Sequence, residues 1–196
     1  RADDNTPIEE YQNVPKGMMM GENYASPENK AEKTDGAATA SEETAVMSIE
    51  DIVKNYHDGK FDLIKTRVQQ LAEKGQHQAE EMLGIMYHSG QGVEKDPAKA
   101  VTWLTKAAEA GRPLAQHHLA VMTYAGEGAE ASPLKALVWL HIAIAYYPDG
   151  QEKKRAIEDR ENVYAAVSRR DRERALELAQ EWLDKKGDKR LLGASP

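Results

Sequence analysis

The stretch Leu83-Gly84-Ile85-Met86-Tyr87, followed by Gly90-Gln91-Gly92, Asp96-Pro97-Ala98-Lys99-Ala100 and Trp103-Leu104, decides the fold. It recurs 36 residues downstream as Leu119-Ala120-Val121-Met122, Gly126-Glu127-Gly128, Ser132-Pro133-Leu134-Lys135-Ala136 and Trp139-Leu140. A period in this range, with an apolar run on each side of a Gly-x-Gly turn, marks stacked helical hairpins. One such hairpin cannot bury its apolar face alone, so it stacks on its neighbours. The expected fold class is all-α: an α-solenoid of antiparallel helix hairpins in a right-handed superhelix, with no strand.

The punctuation around the repeat sets the boundaries. Asp96 and Ser132 are N-caps, and Pro97 and Pro133 take the first helical position, where a missing N–H costs nothing. Gly90 and Gly126 suit a helix end with positive φ. The two repeats are expected over 78–111 and 113–147. Upstream, Ser48-Ile49-Glu50-Asp51 fits a capping box, and an N-terminal hairpin is expected over 48–75. Downstream, Pro148-Asp149-Gly150 is a breaker, and a capping helix pair is expected over 151–187. Its charged faces suit a terminal repeat that must stay wet. Residues 188–196 are expected to be frayed.

Residues 1–47 read differently. They carry 10 acidic and 4 basic groups, so nearly all of the chain's net charge of −7 lies there. They hold too few large apolar groups to offset the entropy of ordering, and read as disordered in isolation. Two places break the polarity: Ile8–Val14, which contains Tyr11, and Met18-Met19-Met20, followed by Tyr24. Adjacent methionines suit irregular partner surfaces. The segment reads either as a linker with incidental apolar groups or as one that orders on a partner.

Composition excludes several classes of function. There is no cysteine, hence no disulfide and no thiolate metal site. No apolar run reaches the roughly 18 residues that cross a bilayer. The nearly neutral repeat region lacks the basic face of a nucleic-acid binder. The chain begins at Arg1, which removal of a signal peptide would explain and a shortened chain would explain equally. The expectation is a periplasmic or secreted protein, with a cytoplasmic one as the alternative.

Ala79, Leu83, Gly84, Tyr87, Gly90, Gly92, Val93, Asp96, Lys99, Ala100, Trp103, Lys106, Ala107, Ala108 and Gly111 together resemble the Sel-one-like repeat (SLR) family, relatives of the tetratricopeptide repeats. The second copy departs from the pattern at Ala120, Thr123, Ala129 and Ile142. The resemblance implies a superhelical scaffold for protein–protein contacts and an envelope setting. By analogy with tetratricopeptide repeats it also implies that the first helix of each hairpin lines a concave groove. Carried over by register, the groove positions are Gln78, Glu81, Ile85 and His88 in one layer and Leu114, His117, Val121 and Tyr124 in the next. These eight read either as a solvated face or as a groove for a peptide or loop. With Tyr11, Met18, Met19, Met20 and Tyr24 they form the candidate partner-binding set. The repeated positions Leu83, Tyr87, Ala100, Trp103, Leu104, Leu119, Ala136, Trp139 and Leu140 are expected to be buried.

No catalytic constellation is visible. Gly90-x-Gly92 follows a helix and lacks the Lys-Ser/Thr ending of a phosphate loop. His117 and His118 are adjacent and point to different faces of a helix, and His88 is placed to approach His117 across layers. No cofactor and no metal are expected. The leading expectation is a non-enzymatic interaction scaffold or adaptor in the bacterial envelope. The alternative is a structural accessory subunit of a membrane or envelope complex, with residues 1–47 running along it. An enzyme acting on a cell-wall-like ligand is the minor alternative.

Overall fold

The computed structural model describes residues 47–188. Those residues form eight helices and no strand: α1 Ile49–His57, α2 Phe61–Glu73, α3 His77–Ser89, α4 Pro97–Glu109, α5 Pro113–Ala125, α6 Pro133–Tyr146, α7 Gln151–Ala165 and α8 Arg169–Lys185. The fold is the all-α stack of helices that the repeat requires.

Local chemistry starts and stops these helices. Side chains of Ser48, Asp96, Ser132 and Ser168 accept from the backbone N–H three residues on, at 3.2, 3.0, 3.4 and 3.1 Å, starting α1, α4, α6 and α8. Helices α3 and α5 end at Gly90 and Gly126, both left-handed, with φ of 74° and 72°. The return turns close identically: Asp96 N–H donates to the Tyr87 carbonyl and Ser132 N–H to the Thr123 carbonyl, each at 2.9 Å. The 36-residue period is thus a period in hydrogen bonds as well as in residues.

The second glycine of each turn joins one layer to the previous one. A Cβ at Gly92 would sit 2.6 Å from Phe61 Cβ at the start of α2. A Cβ at Gly128 would run into the Pro97 backbone at the start of α4. Both residues also need positive φ, so turn shape and layer spacing select the same residue type.

Within a layer α3 packs on α4 and α5 on α6; between layers α2 packs on α3 and α4 on α5. The last two helices differ from a simple hairpin, since α8 packs chiefly on α6 and α7 on α5 and α6. The reason is legible in α8. Ala179, Trp182 and Leu183 repeat the spacing of Ala100, Trp103, Leu104 and of Ala136, Trp139, Leu140. All three alanines and all three leucines are fully buried. Leu83, Ala100, Leu104, Leu119, Ala136 and Leu140 form the core as expected, and Ala179 and Leu183 join it. Tyr87, Trp103 and Trp139 are only half-buried. The outer face of Trp103 is covered by the Lys106 ammonium, 3.9 Å from its ring centre, and Trp139 meets Trp182 edge to face at 6.0 Å.

Candidate binding pocket between α1, α3 and α5

Helix α5 begins without a capping side chain of its own, because Arg112 holds the N-cap position. The missing acceptor comes from the previous layer. Glu81 of α3 accepts from the Ala115 backbone N–H at 3.3 Å, inside the first turn of α5. The same carboxylate takes two bonds from Arg112, Nη2 to Oε1 at 2.6 Å and Nε to Oε2 at 3.2 Å. A carboxylate at a helix N-terminus meets orphan N–H groups and the positive end of the helix dipole. Glu81 can therefore be buried while its charge is satisfied. The Arg112 side chain remains 38% exposed.

This linkage forms one wall of a pocket of about 180 Å³. Val53, Met82, Ile85 and Leu114 give it aliphatic lining, with Tyr56, His57, Gln78, Glu81 and Arg112 completing it. The Tyr56 ring is held edge to face on Phe61 at 5.3 Å. The structure thus brings Gln78, Glu81, Ile85 and Leu114, four of the residues expected from register, into one cavity. The contribution of α1 and of Arg112 was not foreseen. One signal was available: Arg112 at the N-cap cannot accept from the first-turn N–H groups of α5, which leaves them to water or to a side chain from another element, and Glu81 takes one of them.

The other expected groove positions lie elsewhere, which corrects the register argument. His117, Val121 and Tyr124 are 4, 8 and 3% exposed. They face a neighbouring layer, not an open groove. Tyr124 joins the core shared by α6, α7 and α8. His117 Nε2 lies 2.7 Å from Asp159 Oδ2 on α7 and packs edge to face with Tyr147 at 6.2 Å. Glu81 and His117, 36 residues apart, thus hold equivalent interlayer links. His88 is half-buried and pairs with Glu127 at 2.9 Å; it meets the ring of His118, not that of His117, at 6.2 Å. Burial, then the neighbouring His117 and His88, hold His118 well below the usual histidine range. Burial, with a smaller contribution from Arg160, lowers His141 to about 4. Its Nε2 lies within hydrogen-bond distance of the Tyr164 hydroxyl, at 2.9 Å. Among the described residues no three His, Cys, Asp or Glu side chains are grouped to hold a metal ion. Tyr11, Met18, Met19, Met20 and Tyr24 lie outside the described residues.

The family profile described as Sel1 repeat matches residues 77–111 and 113–145, the α3–α4 and α5–α6 layers. The chain carries two Sel1 repeats. A similar solved structure is that of c5321, a protective antigen present in uropathogenic Escherichia coli strains displaying an SLR fold. The two are 24% identical with a TM-score of 0.62, and the match covers 69% of this chain but only 29% of that one. A Sel1 repeat protein from Oxalobacter formigenes is 27% identical, over 56% of this chain and 97% of that one, with a TM-score of 0.45. No curated protein matches the sequence. The matched repeats bring α3 and α5 to the pocket, and α1, outside the matched residues, adds Val53, Tyr56 and His57.

Proposed function

We propose that this Sel1-repeat chain is a non-enzymatic protein-interaction scaffold that seats one side chain of a partner in the pocket between α1, α3 and α5. The carrying observation is the size and lining of that pocket. Small-molecule and cofactor sites usually enclose roughly 300–1,000 Å³; about 180 Å³ suits a single anchoring side chain. The lining is aliphatic and aromatic around one ion pair, and that pair already satisfies its own charges. This is the pattern of an anchor pocket in a protein interface, where a few buried residues dominate affinity. Sel1 repeats are in general interaction scaffolds, which agrees. Among the described residues no helix is long and apolar enough to cross a membrane. The proposed setting is the bacterial envelope or the exterior, on the family resemblance alone.

The test is a photo-crosslinking amino acid placed at Gln78 on the pocket, and separately at Glu177 on α8, in native cells. Crosslinks from position 78 to one defined protein, absent from position 177, support the pocket. Crosslinks confined to position 177 move the interface to α8. Separating periplasmic from cytoplasmic fractions of the same cells tests the setting.

A further inference from the structure

Met18-Met19-Met20 is a run of three large apolar side chains within a mostly polar segment, and the pocket is lined in large part by aliphatic groups. We infer that the two belong together: the pocket receives this stretch of the same chain, which makes the N-terminal segment an intramolecular competitor of the partner. This rests on the reading of the pocket as a side-chain acceptor.

Chemistry favours methionine as the occupant. Val53, Met82, Ile85 and Leu114 offer irregular aliphatic walls, and Tyr56 adds a ring. An unbranched thioether adapts to such a cavity and gains from sulfur–aromatic contact. Within residues 1–46 apolar groups are concentrated only at 8–14 and 18–20, and three adjacent methionines give the pocket several equivalent registers.

Chain connectivity favours the same chain as the source. The described fold begins at Met47, next to α1, and α1 itself contributes Val53, Tyr56 and His57 to the pocket. Val53 is six residues from Met47, about 9 Å along a helix. From Met20 to Met47 the chain has 27 residues, a reach of up to about 90 Å. The span is therefore easily covered, and a tethered ligand competes at an effective concentration in roughly the millimolar range. Electrostatics adds little, because Glu81 offsets Arg112. The tether, more than charge, makes the contact favourable.

The chain has no cysteine, so a nitroxide can be attached to the full-length protein at Glu22→Cys alone. The readout is methyl resonance intensity with the label oxidised against reduced. The inference predicts selective loss at Val53, Ile85 and Leu114, none at Leu176 and Leu178 on α8, and recovery in the added variant Met18→Ser, Met19→Ser, Met20→Ser. Even loss, no loss, or loss that survives the triple serine change overturns it. A mixture of spin-labelled and isotope-labelled chains separates the sources: loss in the mixture means a second copy fills the pocket, which also overturns it. The crosslinking result from position 78 to a separate partner would stand in either case.

Discussion

The Glu81 carboxylate grips Arg112 through both oxygens across 31 residues of sequence while holding the Ala115 N–H at the start of α5. One side chain thus joins two layers, caps a helix and shapes the pocket wall. Glu81→Ala removes the cap, worth about 1 kcal/mol. It also removes an ion pair worth up to about 1 kcal/mol once the exposure of Arg112 is allowed for. Urea unfolding of the variant should show a loss of about 2 kcal/mol. Glu81→Gln keeps an acceptor for Ala115 and should lose about half of that.

The two kinds of positive-φ glycine should separate cleanly. Gly75 has φ of 78° with open space around its missing Cβ, whereas Gly128 has φ of 76° and abuts Pro97. Gly75→Ala pays for backbone conformation only, about 1–2 kcal/mol. Gly128→Ala must also push α4 away from the turn and should cost at least about 3 kcal/mol, adding an overpacking term. Equal losses in thermal unfolding would show that the layers do not meet at this turn.

The repeat period made the helices, their caps and the Ala-x-x-Trp-Leu core legible in the sequence. The pocket was half legible. Register placed Gln78, Glu81, Ile85 and Leu114 on one helix face or its successor, but α1 has no repeat signature, so its part in the wall could not be read. His117, Val121 and Tyr124 went the other way. Register put them on the same nominal face, and only the packing of α7 on α5 reveals that this face is covered. The Ala179-Trp182-Leu183 stretch is legible as a further copy of the repeat ending, but it follows the second copy by 43 residues instead of 36, so the period alone does not place α8 on α6.

That stretch makes α8 part of the fold and not an appendage. Trp182 meets Trp139 and Tyr146 edge to face at 6.0 and 6.1 Å, and Leu183 is fully buried beside it. Leu183→Ala should cost about 2–5 kcal/mol, with one cooperative transition seen by far-ultraviolet circular dichroism and tryptophan fluorescence alike. A separate early transition would mean that α8 unfolds by itself.

Acid should weaken the stack through two histidines. His118 and His141 are held below their ordinary values in the folded state, so the unfolded chain binds more protons as pH falls through 6.5. Stability is then greatest above about pH 6.5 and declines as the folded form resists protonation, for His141 down to about 4. A shift of that size corresponds to about 3 kcal/mol for His141. Unfolding free energies measured between pH 7.5 and 4.5 should fall with pH, and His141→Asn should flatten the slope. An unchanged slope in that variant would remove His141 from the account.

The most direct measurement is the affinity of the full-length chain for the partner crosslinked from position 78, by calorimetry, with Leu114→Ser compared against Leu176→Ser. Leu114 lines the pocket and Leu176 lies on α8. An anchor pocket predicts that Leu114→Ser weakens binding at least about tenfold, roughly 1.4 kcal/mol, with an unchanged circular dichroism spectrum, while Leu176→Ser binds as the parent chain does. Equal affinity for Leu114→Ser and the parent chain would contradict the pocket as the docking site.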